Sequence, residues 1–167
     1  MQVAVDRLID ARWTDEIHDE WIRSLAASVS AIPIEHLQMT RRLMEAALPQ
    51  AAVAGYEKHI PSVKLPDPND RHVVAAGIAG GASVILTWNL KDFPAAELRK
   101  HGLRRQTPDA FLADLHDRAP EMTLASLANA RRNLSRTRVS AADFVEIFRG
   151  QKLIRLAARV TEHIGDL

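Results

Sequence analysis

Three acidic residues sit where carboxylate chemistry is possible. Glu20 lies on the polar side of an amphipathic stretch, one position before Trp21. Asp70 falls in the first turn of a segment that opens at Pro68, and Asp92 lies just past the apolar run VILTW (84–88). In open parallel α/β sheets, ligands bind beyond the carboxyl ends of the strands, which is where Asp70 and Asp92 are expected. Carboxylates brought together repel one another unless a cation compensates. The cations that prefer such oxygen ligands are Mg²⁺ and Mn²⁺. Taken singly, each acid also has a plainer role. Glu20 reads equally as a solvated helix charge beside Asp15, Glu16 and Asp19. Asp70, three residues after Asp67, fits a capping arrangement, and Asp92 fits a turn before Phe93-Pro94.

Other chemistries are excluded or unsupported. The chain has no cysteine, which removes disulfide scaffolds, thiolate zinc sites, iron–sulfur clusters and cysteine nucleophiles. Its seven histidines are scattered without zinc-ligand spacing and read as surface or satisfied residues, with His18 only a surface cover near Trp21 and Ile22. There is no G-x-S-x-G turn. Gly80-Gly81 matches neither phosphate-binding glycine pattern and reads as a helix stop.

The elements that must position the acids follow from pattern. Residues 2–10 predict a short helix, followed by an extended piece at Ala11 to Trp13. Thr14 is an expected N-cap for a helix from Asp15 to about Ser28, with Ile17, Trp21, Ile22 and Leu25 on its apolar face. A second helix spans Ile34 to Leu48 and carries Leu37, Leu43, Met44 and Leu48 inward. AAVAGY (51–56) could be a short buried strand. Asp67 can cap a helix whose first residue is Pro68, running to about Ala79. Ser83 to Trp88 predicts a strand buried on both faces. A helix, a short glycine loop and this strand make half of a βαβ unit; Ala95 to His101 reads as another helix, LRRQTPDAFL could begin with a short strand, and Pro108 starts a further helix. Beyond it the chain predicts helices only, with Thr123 as a cap, Ser140 and Asp143 as a capping pair, and Gly150 before the last helix.

At 167 residues, the length suits one domain with an appended part, and the 47% apolar content suffices for a core without staples. No apolar run approaches a membrane span, and charges occupy the N-terminal stretch, so a cytoplasmic protein without membrane contact is expected. The net charge of +1 hides an asymmetry. Residues 1–92 hold 9 Lys/Arg against 12 Asp/Glu, and residues 93–167 hold 13 against 9. An acidic front beside a basic back suits a carboxylate site next to a polyanion-binding surface, although ordinary surface variation gives the same balance. Arg99, Lys100, Arg104, Arg105, Arg131, Arg132, Arg136 and Arg138 could contact phosphates, or simply line solvated helix faces.

Two stretches carry a resemblance: TDEIHDEW (14–21) and LPDPNDRHVVAAGIAGGASVILTWNLKDFP (65–94). Together they resemble the PIN-domain ribonucleases, in particular the bacterial toxin–antitoxin (VapC-like) branch, over roughly residues 2–115. The motif residues are Thr14, Ile17 and Glu20 on one helix, Asp70 opening another, Thr87 ending the strand, and Asn89, Asp92 and Phe93 following it. The resemblance implies an α/β fold of PIN type: a parallel sheet of four or five strands flanked by helices in three layers, occupying residues 1–118. A helical C-terminal extension then covers 119–167. It implies Glu20, Asp70 and Asp92 as Mg²⁺ or Mn²⁺ ligands, with Thr87, Asn89 and Asp67 around them. It also implies a strand ending in an Asp ahead of the first helix. The chain opens instead on a stretch that reads as the helix following that strand, and Asp6 and Asp10 within it are no replacement. An upstream start, an inactive copy, or a strand supplied by a partner or a swapped subunit would each account for this.

The expected function is RNA phosphodiester hydrolysis by a metal-dependent toxin-type endoribonuclease. Its partners would be RNA and an antitoxin protein, with a homodimer or strand-swapped oligomer also expected. The alternatives are an inactive PIN-like module that binds RNA or an antitoxin-like protein, and a helical interaction module.

Overall fold

Capping chemistry sets most element boundaries. In the computed structural model, which describes residues 1–29, 31–134 and 137–167, Thr14 accepts the Ile17 N–H at 3.2 Å and opens the helix Asp15–Ser28. Packing divides the described residues into two units. One comprises residues 10–85 and 89–105; the other comprises 1–9, 86–88 and 106–167. The expected boundary near residue 118 lies at a break between two helices that share a unit.

The first unit carries α2 (Asp15–Ser28), α3 (Ile34–Ala47), α4 (Arg71–Ala79) and α5 (Ala95–Lys100); α1 belongs to the other unit. Asp67 accepts the Asn69 N–H at 2.8 Å, and Pro68 starts a 3₁₀ turn, Pro68–Asp70, that leads into α4. Gly81, at φ +63°, ends α4 in the left-handed conformation that a side chain would strain. Strand β1 (Val84–Leu86) pairs in parallel with β2 (Arg104–Gln106) across the α5 crossover. At the start of this pairing, the Arg104 N–H donates to Ser83 O at 3.1 Å. The core joins Val63, Leu65, Val74, Ile85, Phe93, Leu98 and Leu103.

Several expectations are corrected here. Among the described residues the sheet has two strands rather than four or five. AAVAGY contributes only a single parallel bridge, between Ala52 and Trp13. β1 is shorter than expected and is not covered on both faces, with Leu86 44% exposed and Trp88 51% exposed. On α2 the buried positions are His18 and Ile22, while Leu25 is exposed; on α3, Leu43 is also exposed. His18 is therefore core rather than surface cover. It packs against Trp13, and its Nδ1 accepts the Trp21 indole N–H at 2.9 Å.

The second unit begins with α1 (Gln2–Val5), much shorter than the expected helix over 2–10. It stops because Leu8 N–H donates to Val3 O at 2.9 Å and Arg7 turns left-handed at φ 60°. The Leu86–Trp88 segment also belongs here, and its Thr87 N–H donates to Gln106 O at 3.0 Å. Four helices follow: α6 (Pro108–Arg118), α7 (Pro120–Asn133), α8 (Ala141–Gly150) and α9 (Ile154–Thr161). Pro120, not Thr123, starts α7, because proline is pre-set for the first helical position. Thr123 is buried inside that helix. Ser140 caps α8 as expected, accepting the Asp143 N–H at 3.1 Å. Gly150 still lies within α8, and the left-handed turn after it falls on Lys152. The core gathers Leu124, Leu127, Phe144, Phe148, Leu156 and Val160.

α9 has no capping side chain of its own. The buried Asp109 carboxylate on α6 takes that part, accepting the Arg155 and Leu156 N–H groups at 3.1 Å each. Loss of this acceptor leaves two helix-end donors without a partner. Asp109→Ala is expected to cost about 2 kcal/mol, more than Ser140→Ala at the solvent-exposed cap. Urea unfolding of the two variants compares them, and an unchanged midpoint for Asp109→Ala would remove the capping role.

Candidate functional site

α2 places Glu16 and Glu20 one turn apart on the same face, because residues four apart align along a helix. Both face His72, the second residue of α4, which is only 3% exposed. Its Nε2 lies 3.2 Å from Glu20 Oε1, and its Nδ1 lies 3.5 Å from Glu16 Oε2. Neither nitrogen makes a hydrogen bond. Tyr56 O–H donates to the same Glu16 oxygen at 3.0 Å.

Asp70 sits where the 3₁₀ turn meets α4. Burial pushes its carboxyl above the ordinary aspartate range, and the neighbouring charges of Asp67, Glu20 and Asp92 push it the same way, while His72 opposes them. The expected site residues Glu20, Asp67, Asp70 and Asp92 therefore share one electrostatic environment. Asp92 lies on a 3₁₀ turn, Leu90–Asp92, and its Oδ2 accepts the Asn89 side-chain N–H. Thr87 belongs with the second unit.

Arg105 holds that turn. Its guanidinium donates to Leu90 O and, at 2.8 Å, to Phe93 O. This corrects its reading as a phosphate contact. Other basic residues are also engaged. Arg131 donates to Val139 O at 2.9 Å and Leu167 O at 3.0 Å, Arg132 donates to Asn129, and Lys100 pairs with buried Glu97. Arg99, Arg104 and Arg138 are exposed. Arg136 lies outside the described residues.

The donor set is all-oxygen and anionic, which suits Mg²⁺ or Mn²⁺ in kind and in charge. It is not a finished cage: among the described residues, no group of three or more His, Asp or Glu side chains is placed to hold a metal ion. The sequence reading missed His72, Glu16, Tyr56 and Arg105. For His72 a signal existed, a lone histidine in the otherwise apolar HVVAAGIA with two glutamates at helical spacing elsewhere. Nothing local in the sequence distinguishes Arg105 from Arg104.

A group whose folded value is raised contributes stability that is full below its unfolded value and is lost as pH rises through the folded one. For Asp70 that loss begins near the ordinary aspartate value of 3.8 and continues above it. Asparagine cannot ionise. Asp70→Asn is therefore expected to melt higher than the parent chain at neutral pH, with the gain vanishing below about pH 4. Thermal scans across pH measure this, and a lower melting point at neutral pH would contradict the crowding.

Residues 108–162, which span α6 to α9, match the family model described as the VapC50 C-terminal domain. Over 56 residues the chain is 45% identical to a protein of Mycobacterium tuberculosis (strain ATCC 25618 / H37Rv) named "Putative ribonuclease VapC50". The match takes in 34% of this chain and 33% of that protein, so the chain spans about a third of the curated relative it matches. No solved structure matches. No helix among the described residues is long and apolar enough to cross a membrane. The candidate site acids Glu20, Asp67, Asp70 and Asp92 all precede residue 108, so the family match falls on the helices: α6 to α9 are similar to the C-terminal domain of a VapC-type protein.

Proposed function

We propose that this chain is a metal-dependent endoribonuclease of the VapC toxin type, a PIN-like protein that hydrolyses RNA phosphodiester bonds. The observation that carries this reading is that Asp70, a partly buried carboxyl, lies in the fields of Glu20, Asp67 and Asp92 from separated segments. The likeness of 108–162 to VapC50 supports the same class. In this reading Glu20, Asp70 and Asp92 hold Mg²⁺ or Mn²⁺. Such a cation supplies water activation and charge relief at a phosphodiester. The chain's own residues supply placement. α2 presents Glu20, the turn into α4 presents Asp70, and the Arg105-braced turn presents Asp92 with Asn89 bonded to it. Asp67 is engaged as a cap, and Thr87 supplies a further polar group after β1. RNA and an antitoxin protein are the proposed partners, with a homodimer or strand-swapped pair as the proposed assembly.

A second reading is an inactive PIN-like module that binds RNA or an antitoxin-like protein. One observation favours it: no three acidic or histidine side chains among the described residues converge on a point. Exposed Arg99, Arg104 and Arg138 would then contribute salt-dependent phosphate contacts.

Calorimetric titration with Mn²⁺, together with an RNA cleavage assay, separates the two. The first reading expects Mn²⁺ binding, and cleavage reduced by roughly two orders of magnitude or more in Asp70→Asn and in Asp92→Asn. Cleavage at the parent rate by either variant would remove that residue as a ligand. No binding at millimolar Mn²⁺, with RNA binding that weakens steeply with salt, selects the second reading.

A further inference from the structure

α3 (Ile34–Ala47) carries apolar side chains on two opposite faces. One face is turned inward: Leu37 is 5% exposed, and Arg41, a turn later, reaches Asp15 and Asp19 of α2. The other carries Met39 and Leu43, which are 49% and 63% exposed, with exposed Ala46 a turn further on. At 3.6 residues per turn, Met39 lies about 160° round the helix from Leu37. Leu43 is the most exposed large apolar side chain among the described residues. A surface helix ordinarily has one apolar stripe and an opposite polar face, so a second stripe marks a surface that is covered.

Charge identifies what covers it. Glu35 and Arg42 flank Met39 on the same side, about 40° and about 60° round the helix from it. Glu35 lies about 6 Å before Met39 along the axis, and Arg42 about 4.5 Å after it. Both are exposed, and neither has an ion-pair partner among the described residues. They are two turns apart, beyond the spacing at which side chains of one helix meet. The adjacent Arg41, by contrast, serves three acids. A twofold axis through Met39, perpendicular to the helix, brings each charge to the height of the opposite one and keeps it on the same side of the seam. Glu35 of one copy then faces Arg42 of the other, twice over. A parallel pair would place the two on opposite sides of the seam and leave both unmatched.

We propose that the outer face of α3 is the contact between two copies of this chain, packed antiparallel about Met39, with Leu43 and Ala46 alongside and Glu35–Arg42 pairs setting the direction. The inference rests on the reading above only for the homodimer it names; its geometry is that of α3. A contact of this kind is self-complementary and closes at two copies. Apolar burial supplies the attraction, while rim charges set orientation more than affinity. One helix per copy makes a small interface, at the weak end of specific association.

The chain has no cysteine, so introduced single cysteines report the arrangement. Helices packed about 8–10 Å apart bring facing Cα atoms within disulfide reach, whereas the two copies of position 43 would sit about 12 Å apart along the axis. Under mild oxidation Met39→Cys is expected to give a linked dimer, and Leu43→Cys to stay unlinked. Sedimentation equilibrium then compares the parent chain with Leu43→Glu, Glu35→Arg, Arg42→Glu and the double variant Glu35→Arg/Arg42→Glu. Leu43→Glu is expected to abolish association. Each single reversal is expected to raise the dissociation constant about 10-fold, and the double variant to return it close to the parent value. A parent chain that stays monomeric at millimolar concentration leaves the face to a different protein and overturns the proposal, as does a dimer that Leu43→Glu does not weaken. Equal cross-linking from positions 39 and 43, or a double variant no better than the singles, overturns the antiparallel register. A chain that dimerises in this way without cleaving RNA loses the ribonuclease reading alone; one that cleaves RNA as a monomer loses this inference alone.

Discussion

Like charges held close inside a protein cost free energy, and that cost shapes the first unit. The Asp70 carboxyl is partly buried and lies in the fields of Asp67, Glu20 and Asp92. The surrounding elements hold this arrangement against its own repulsion. Thr14 fixes where α2 begins. Asp67 and Pro68 fix the turn into α4. Arg105 reaches from β2 to two carbonyls of the turn carrying Asp92. The first two are local, while the Arg105 bonds span 12 and 15 residues of sequence.

The second unit meets different constraints. Its helices are short and joined by tight turns, so their ends dominate the accounting of polar groups. Ser140 serves α8 within its own turn, while α9 depends on a carboxylate from another helix. Asp109 thus links α6 to α9 across more than forty positions of sequence. This is the span that matches the VapC50 C-terminal domain. A match confined to such helices speaks to fold, while function is argued from the site.

The sequence reading succeeds where signals are local. The caps at Thr14, Asp67 and Ser140, the proline starts and the glycine stop after α4 are each written within four residues of the boundary they set. It fails where tertiary packing decides. VILTW has the composition of a strand covered on both faces, yet only Ile85 is buried in β1, because composition does not count neighbouring strands. Thr123 looks like a cap, but Pro120 three residues earlier had already started the helix. Of the site, the acids were legible by type and spacing. The His72 contacts were not, since they depend on how α2 crosses α4, and Arg105 was indistinguishable from a surface cation.

The chain contains its own comparison for judging the acid cluster. On α2, Asp15 and Asp19 meet Arg41, which also pairs with Glu45 on its own helix α3. Three acids there share one guanidinium, and Glu45 is held below the usual carboxylate range by its bond to Arg41. That is how this sequence handles crowded acids when only packing is at stake. Around Asp70 the pattern differs. Among the described residues no lysine or arginine bridges Glu20, Asp67, Asp70 or Asp92; Glu20 has His72 instead. α2 thus contributes to two groups of acids, one met by an arginine and one without a bridging lysine or arginine among the described residues. A site that tolerates uncompensated carboxylates at a cost in stability is the pattern expected where function, rather than folding, selects the residues.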